Sequence, residues 1–363
     1  MKDKLQNSPP ADPSRRRVMK QSLAGAAALG GISAVTAAAE EQSARASGRK
    51  HRMLASSLIH TGHTEAFTGR TWGNWPFEYR MRQVAEAGFT GVGLLHPDLD
   101  HVFRFEAKGA SMADKIRWMK SVLDNYGLED IEIEFLTNWM FPVGDGRRKA
   151  EEPVRQMLRE MAKIMRPHHL KCGNFAQPEP VEQVRMGFRE LCEDFSDTVV
   201  AYEVLTNEPY GGDIQTMVHI VEGNDNGGLF FDTWHTNHID GLSYDDIADL
   251  PRGLIKGVEL DDGWLIEEKY KPYFEPISAP QFLERTINCR CCLGEGNFDV
   301  IGFIQACARA GYDGPWGNEI LSQNVQRYPI EMMLPHIYNT SLAHIRNALD
   351  GSAIPPLIRS DYA

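Results

Sequence analysis

The fold is decided by one strand–helix–strand unit, TVVAYEVLTNEPYGGDIQTMVHIVEGNDNGGLFFDTW, which runs from Thr198 to Trp234. Its outer segments, 198–205 and 228–234, are short runs rich in β-branched and aromatic residues, as is typical of buried strands. Residues 214–221, between them, are predicted to form a helix. A strand, a helix and a strand in this order predict two parallel strands joined by a crossover helix.

The same alternation extends from this unit toward both ends of the chain. We predict strands at 53–60, 91–96, 131–136, 168–175, 198–205, 228–234, 254–260 and 314–320. The helices that follow them are predicted at 76–87, 112–126, 150–165, 181–195, 214–221, 244–248, 298–310 and 330–348. Eight such pairs are what a closed barrel requires, so we predict an α/β fold, a single-domain (β/α)₈ TIM barrel over residues 52–350.

The amino-terminal segment carries an export pattern. Residues 14–20, SRRRVMK, resemble the twin-arginine motif of bacteria, and an apolar Ala/Gly-rich run from Leu23 to Ala39 ends in three alanines. We therefore predict a twin-arginine signal peptide at 1–39, cleavage after Ala39, and export through the twin-arginine machinery to the periplasm, without stable membrane association afterwards. The alternative is a weak membrane anchor, but the run is only weakly apolar. Residues 40–51 are predicted to be a flexible leader and 351–363 a C-terminal tail.

The overall charge excludes one class of partner. The chain has a formal net charge of −12, and the predicted signal peptide, with six basic and two acidic side chains, accounts for +4. The remainder is therefore near −16 and repels phosphate backbones, which argues against nucleic-acid binding. The sequence leaves the oligomeric state open.

Four consecutive predicted strands each deliver an acidic residue to the same end of the barrel. These residues are Glu203, Asp232, Glu259 and Glu319. One buried acid could be paired with a basic residue, but four converging acids repel one another and need a further positive charge. One divalent cation supplies it, and carboxylate ligands favour Mg²⁺, Mn²⁺ or Co²⁺ over metals that prefer soft ligands.

These strand ends resemble the xylose-isomerase-like barrels, above all their ketose 3-epimerase and inosose dehydratase branch. The matching motifs are Glu203 with Asn207 and Glu208, the run Asp232-Thr233-Trp234-His235, and Glu319 after Gly311-Tyr312-Asp313-Gly314. The resemblance implies that Glu203, Asp232 and Glu319 bind the metal and that Glu203 and Glu319 also transfer protons. It further implies that His235 and Glu208 hold oxygens of a sugar or polyol substrate.

The sequence departs from the family on strand seven. The family's ligand histidine has no match, and the register places Glu259 at that position. A glutamate can replace a histidine as ligand, but it adds negative charge and makes the ion a weaker Lewis acid. The family's substrate specificity is therefore not carried over to this sequence.

Further candidate residues lie on strand four and after strand seven. Arg290, followed by the run Leu293-Gly294-Glu295-Gly296, resembles a family loop whose arginine contacts substrate; otherwise it is a surface arginine. His169 and Lys171 alternate on strand four and are candidates for substrate binding, although single strand residues are more often structural. The cysteines Cys289, Cys291 and Cys292 suggest a soft-metal or redox site, but small buried residues in a loop are the favoured interpretation.

Three functions fit these residues. A sugar isomerase or epimerase would remove and return a proton next to a metal-bound carbonyl or hydroxyl. A lyase would start with the same proton removal and then lose a β-substituent, and the sequence does not separate the two. A non-catalytic carbohydrate-binding barrel is disfavoured because binding alone needs no cluster of acids. A DNA-repair endonuclease of the same superfamily is disfavoured by the acidic charge and the missing histidine ligands.

Overall fold

The computed structural model describes residues 51–62, 64, 70–175, 177–267, 269, 271 and 278–355. The predicted signal peptide, the leader up to residue 50 and the end of the C-terminal tail lie outside these residues, so their assignments stay predictions. Among the described helices, none is both long enough and apolar enough to cross a membrane.

The strands form a closed parallel barrel in sequential order, as predicted. They are β1 (Met53–Ala55), β2 (Gly91–Leu95), β3 (Asp130–Leu136), β4 (His169–Gly173), β5 (Val200–Glu203), β6 (Gly227–Asp232), β7 (Ile255–Leu260) and β8 (Trp316–Asn318). The barrel closes where β1 pairs with β8, with Met53 opposite Trp316 and Ala55 opposite Asn318.

Helices surround the barrel and occupy the strand-to-strand connections. In the described residues they are α1 (Ser57–Thr61), α2 (Phe77–Ala87), α3 (His96–Phe105), α4 (Met112–Asn125), α5 (Gly146–Met165), α6 (Val181–Asp194), α7 (Ile214–Val221), α8 (Thr233–His238), α9 (Tyr244–Ala248), α10 (Ala279–Asn288), α11 (Val300–Arg309), α12 (Gln323–Gln326) and α13 (Ile330–Asp350).

Side chains on each strand alternate between the helix-facing core and the barrel interior. On β5, Tyr202 packs outward against Trp139, with ring centroids 4.8 Å apart, and against Phe188 of α6. The next residue, Glu203, therefore points into the barrel, where it is 3% exposed. Because of this alternation, the acidic residues that lie at the strand ends point toward one another.

Most strands are shorter in the structure than predicted, and in β1 and β6 the reason is that a helix begins where the apolar run continues. β1 was predicted to reach His60 but ends at Ala55, and Leu58 and Ile59 are buried in α1 instead. β6 was predicted to include Trp234 but ends at Asp232, whose carboxylate caps α8 by accepting from the His235 N–H at 3.0 Å. An apolar run does not distinguish a strand from a buried helical turn.

Candidate active site

The four predicted acidic residues meet inside the barrel at the carboxyl ends of the strands. Glu203, Asp232, Glu259 and Glu319 each offer an oxygen, and these four oxygens lie within 4.8 Å of one another. All four residues are at least 92% buried. The structure therefore brings together the complete set that the sequence indicated, and we call these residues the acidic quartet.

Glu259 shows most directly that this set suits a cation. It is fully buried, and its Oε1 has no hydrogen-bond partner among the described residues. An unpaired carboxylate oxygen in the interior is costly unless a positive group or a metal meets it. Four carboxylates also form the hard, all-oxygen ligand set that Mg²⁺ and Mn²⁺ prefer.

Lys171, on β4, neutralises part of the negative charge of the acidic quartet. Its Nζ lies 2.8 Å from Glu259 Oε2 and 3.3 Å from Glu319 Oε1, and also 2.9 Å from Glu134 Oε2 on β3. Burial alone would lower the pKa of Lys171, but the surrounding carboxylates raise it well above its usual value. Lys171 therefore stays charged and contacts two members of the acidic quartet, and its predicted contact with substrate stays a prediction.

Arg290 is the second internal cation. The sequence predicted that it contacts substrate, and its Nη1 lies 2.8 Å from Asp232, 2.7 Å from Asp261 and 3.0 Å from Glu319 Oε2. The guanidinium is buried, with 1% of the side chain exposed. In the structure its charge is thus directed at the acidic quartet, and substrate contact stays a prediction.

The two cations do not balance the buried carboxylates around them. Seven carboxylates surround Lys171 and Arg290: Glu132, Glu134, Glu203, Asp232, Glu259, Asp261 and Glu319. Burial raises the pKa of Glu203, Glu259 and Asp261 well above the usual range, with neighbouring carboxylates adding to the shift. A divalent cation would favour the ionised forms.

His235 stands beside the acidic quartet as a neutral hydrogen-bond donor. Its Nδ1 accepts the backbone N–H of Thr206 at 3.1 Å, so the ring proton is on Nε2. Nε2 lies 3.8 Å from Glu203 Oε1. Burial, assisted by the charge of Arg290, lowers the pKa of His235 well below its usual value. The ring can therefore donate to a substrate oxygen, as the family resemblance implied.

His169 lies one layer deeper than Lys171, two residues earlier on β4. Its Nε2 is 2.6 Å from Glu132 Oε2, and both side chains are buried. Burial, followed by the nearby Lys171, lowers the pKa of His169 to about 3, so the neutral ring shares a hydrogen bond with the Glu132 carboxyl group. This pair fills the barrel below the acidic quartet, and the predicted substrate contact of His169 is untested.

Glu208 follows β5 and is held by groups other than the acidic quartet. Its carboxylate accepts from the Tyr202 hydroxyl at 2.5 Å and from the Tyr210 backbone N–H at 3.4 Å, with Asn174 Nδ2 at 3.5 Å. Burial raises the pKa of Glu208 to about 7, although these hydrogen bonds oppose the shift. Its predicted contact with substrate stays a prediction.

Three buried acids at this site were not singled out from the sequence. Glu132 and Glu134 alternate with isoleucines on β3, a pattern that places both inside the barrel. Burial raises the pKa of Glu132 to about 7 and that of Glu134 to about 8, with Lys171 opposing both shifts. Asp261 follows β7 and binds Arg290 at 2.7 Å. The alternation on β3 was the available signal for the first two.

Comparison with known proteins shows the family of this chain. A family model described as the xylose isomerase-like TIM barrel matches residues 81–348. The chain belongs to this family. The xylose isomerase-like match covers most of the barrel and all the residues of the acidic quartet.

One curated relative is a 3-dehydroshikimate dehydratase of Pseudomonas aeruginosa, 33% identical over 264 residues. The alignment covers 69% of this chain and 37% of the relative, so the chain spans about a third of the length of the curated relative it matches.

Solved structures share the xylose isomerase-like fold at low identity. The IOLI protein with a binding zinc atom has a TM-score of 0.62 at 12% identity, over 82% of this chain and 99% of that chain. A D-psicose 3-epimerase with D-tagatose from Clostridium cellulolyticum H10 has a TM-score of 0.54 at 16% identity, over 83% and 99%. At these identities the similarity shows the fold alone.

Proposed function

We propose that this chain is a divalent-metal-dependent enzyme that removes a proton next to the carbonyl of a small polyhydroxylated substrate. The observation that carries the proposal is the acidic quartet, four buried carboxylates whose oxygens lie within 4.8 Å of one another and include an unpaired oxygen of Glu259. Binding alone requires no such concentration of charge, whereas proton transfer and metal binding both use it.

The residues that would hold the cation are Glu203, Asp232, Glu259 and Glu319. When bound, a divalent cation withdraws electron density from the substrate oxygens and so makes the neighbouring C–H more acidic. Glu259 stands where the family has a histidine, so the site carries more negative charge and this activation is weaker than in the usual ligand set.

Proton transfer is assigned to Glu203 and Glu319. Glu203 ends β5 and Glu319 follows β8, so the two carboxylates enter the site from well-separated strands. One would remove the proton while the other supplies one, and His235 Nε2 would donate a hydrogen bond to a substrate oxygen. Lys171 and Arg290 hold Glu319 from two directions, which fixes its orientation.

Loss of water is the outcome that we favour after this first step. A dehydration removes the α-proton as described and expels the β-hydroxyl with one proton, leaving a carbon–carbon double bond and water. It is favoured because the curated relative named as a dehydratase is 33% identical, whereas the epimerases resemble the chain only in fold. Isomerisation or epimerisation, in which the second carboxylate returns the proton, is the second candidate because acids enter from both sides of the site.

The experiment is NMR in D₂O with the metal-loaded protein, using 3-dehydroshikimate, D-psicose and D-tagatose as probes. Dehydration predicts an unsaturated product, epimerisation predicts an altered stereocentre carrying deuterium, and exchange without product shows the shared first step. Elemental analysis of the same sample should find one Mg²⁺, Mn²⁺ or Co²⁺ per chain. A protein that binds no stoichiometric metal and whose thermal stability responds to neither EDTA nor Mn²⁺ would contradict the proposal.

Substitution of Glu319 tests its role as acid or base. Glu319→Gln can still offer an oxygen but cannot transfer a proton, so the fold should persist while exchange falls about 10²–10⁴-fold. Glu259→His, which restores the family's usual ligand, should keep the metal. The control for the exchange rate of Glu319→Gln is Glu190→Gln, a substitution at an exposed position on α6. Exchange at the wild-type rate in Glu319→Gln would leave Glu319 as a ligand only.

A further inference from the structure

A second group of side chains of the types that bind metals lies outside the barrel interior. Cys292, Glu295 and His336 each offer a ligand atom, and these atoms lie within 4.8 Å of one another. Cys292 is 1% exposed, while the side chains of Glu295 and His336 are 38% and 41% exposed. His336 Nε2 already lies 2.8 Å from Glu295 Oε1. The group therefore has a buried sulfur at its base and opens to solvent.

The backbone holds two of these ligands in place. Residues 292–295 form a turn in which the Glu295 N–H donates to the Cys292 carbonyl at 3.0 Å, and Gly294 at its third position has a φ of +86°. This conformation favours glycine. The Cys292 N–H also donates to Glu295 Oε2 at 3.3 Å, which keeps that carboxylate beside the cysteine.

The same loop, residues 289–299, is fixed to the barrel and carries Arg290 into the acidic quartet. Cys291 pairs with Asp262 after β7, and Cys289 pairs with Ser322 after β8. Asp262 further accepts the backbone N–H groups of Gly294 and Gly296 at 2.9 and 3.1 Å. The third ligand, His336, comes from α13, so the three side chains join this loop to the closing helix of the barrel.

The ligand types indicate which metal would bind. A thiolate, an imidazole and a carboxylate are the ligand types of Zn²⁺, and the sulfur distinguishes them from the all-oxygen acidic quartet. Tetrahedral zinc places neighbouring ligand atoms roughly 3.3–3.8 Å apart. In the structure the three ligand atoms are at most 4.8 Å apart. Rotation of the half-exposed Glu295 and His336 side chains can bring them to the distances that zinc requires. Burial raises the pKa of the Cys292 thiol, so zinc would bind with release of the thiol proton.

We propose that Cys292, Glu295 and His336 form a second metal site, with ligand types suited to zinc, that links the 289–299 loop to α13. Solvent occupies the fourth position on the open side. The site stabilises the loop that presents Arg290 to Asp232 and Glu319. It is separate from the proposed catalytic function, because none of its three ligands belongs to the acidic quartet.

Cobalt titration tests the site without any measurement of activity. The full chain is stripped with a chelator and titrated with Co²⁺ while near-ultraviolet absorption is recorded, because a cobalt–thiolate bond gives an intense charge-transfer band that carboxylate ligands do not. We expect this band to saturate within two equivalents, since the acidic quartet also takes up Co²⁺, and to vanish in Cys292→Ser. Cys291→Ser, one residue away in the same loop, is the matched control and should keep the band.

If Cys292→Ser does not fold, the site can be tested with His336→Gln and Glu295→Gln, because both of these side chains are half-exposed. Each should weaken zinc binding, measured by competition with a chromophoric chelator, at least about tenfold. Each should also reduce the increase in thermal stability that Zn²⁺ produces in the wild type. A wild-type protein that takes up Co²⁺ without the thiolate band would overturn the proposal. So would a band that survives in Cys292→Ser or disappears in Cys291→Ser.

Discussion

Individual buried carboxylates of this barrel differ in what keeps them in the interior. Asp232 is held by Arg290 and by a backbone N–H of α8. Glu259 has Lys171 on one oxygen and no described partner on the other. Among the described residues, the hydrogen-bond donors to Glu208 are all neutral, and burial raises its pKa to about 7. Burial therefore raises the pKa of carboxyls with and without a neighbouring cation, to about 8 for Glu134 beside Lys171 and to about 7 for Glu208, and their effect on stability depends on pH.

Glu208 should make the protein less stable as the pH rises. Its pKa is about 7 in the folded chain against an ordinary 4.5, so the folded state binds a proton that the unfolded state has lost between these values. Its contribution is fully present below pH 4.5 and is lost as the pH rises through 7. Between pH 4.5 and 8, Glu208→Gln should gain up to about 3 kcal/mol relative to the wild type.

Urea unfolding of metal-free protein at a series of pH values measures this change. Glu190→Gln, at an exposed position, is the control and should follow the wild-type curve. A difference between Glu208→Gln and wild type that stays constant with pH would contradict the assignment.

At the scale of elements, the connection after β7 depends on one aspartate. Asp262 accepts four backbone N–H groups: Gly263 at 2.8 Å, Gly294 at 2.9 Å, and Gly296 and Phe298 at 3.1 Å. Because the carboxylate is 2% exposed, water cannot replace it easily. This residue therefore determines the course of the loop that carries Arg290 and Cys292.

Asp262→Ala should destabilise the protein by about 3–4 kcal/mol, because it leaves several buried N–H groups without an acceptor. Asp299→Ala is the comparison, since Asp299 caps α11 through a single bond to the Gly302 N–H and should cost only about 1 kcal/mol. Equilibrium unfolding at fixed metal concentration measures both. Equal losses in the two variants would show that the four bonds to Asp262 do not act as described.

At the scale of the whole molecule, the order of folding and export matters. The acidic quartet combines side chains from residues 203 to 319, so a site of this kind exists only in the folded chain. The twin-arginine route carries folded proteins, and the predicted signal peptide would thus allow metal to be bound in the cytoplasm before export.

Replacing Arg15 and Arg16 by lysine should retain the protein in the cytoplasm, because the resemblance to the export motif rests on this arginine pair. Arg17→Lys leaves the pair intact and should be exported like the wild type. Cell fractionation followed by detection of the chain measures the distribution. Recovery of the Arg15/Arg16 double variant outside the inner membrane would show that the twin-arginine assignment is wrong.

The sequence by itself determined the fold class and the acidic quartet. Eight alternating strand and helix segments allow few arrangements, and the carboxyl ends of parallel strands lie on one face of a barrel. Glu203, Asp232, Glu259 and Glu319 could therefore be grouped from their positions at four successive strand ends. The burial of Glu203 and Asp232 was predicted as well, since each of these two stands in an apolar run that a barrel buries.

Only the tertiary structure decided which basic residues pair with these acids. Lys171 and Arg290 are 119 residues apart in the sequence, yet both reach Glu319, and neither pairing follows from local pattern. The boundaries of β1 and β6 were likewise decided by packing and by the cap that Asp232 provides for α8. The physical reason is the same in each case. Local periodicity specifies which side of an element is buried, whereas the partner of a buried charge depends on distances between elements, which are fixed only when the barrel closes.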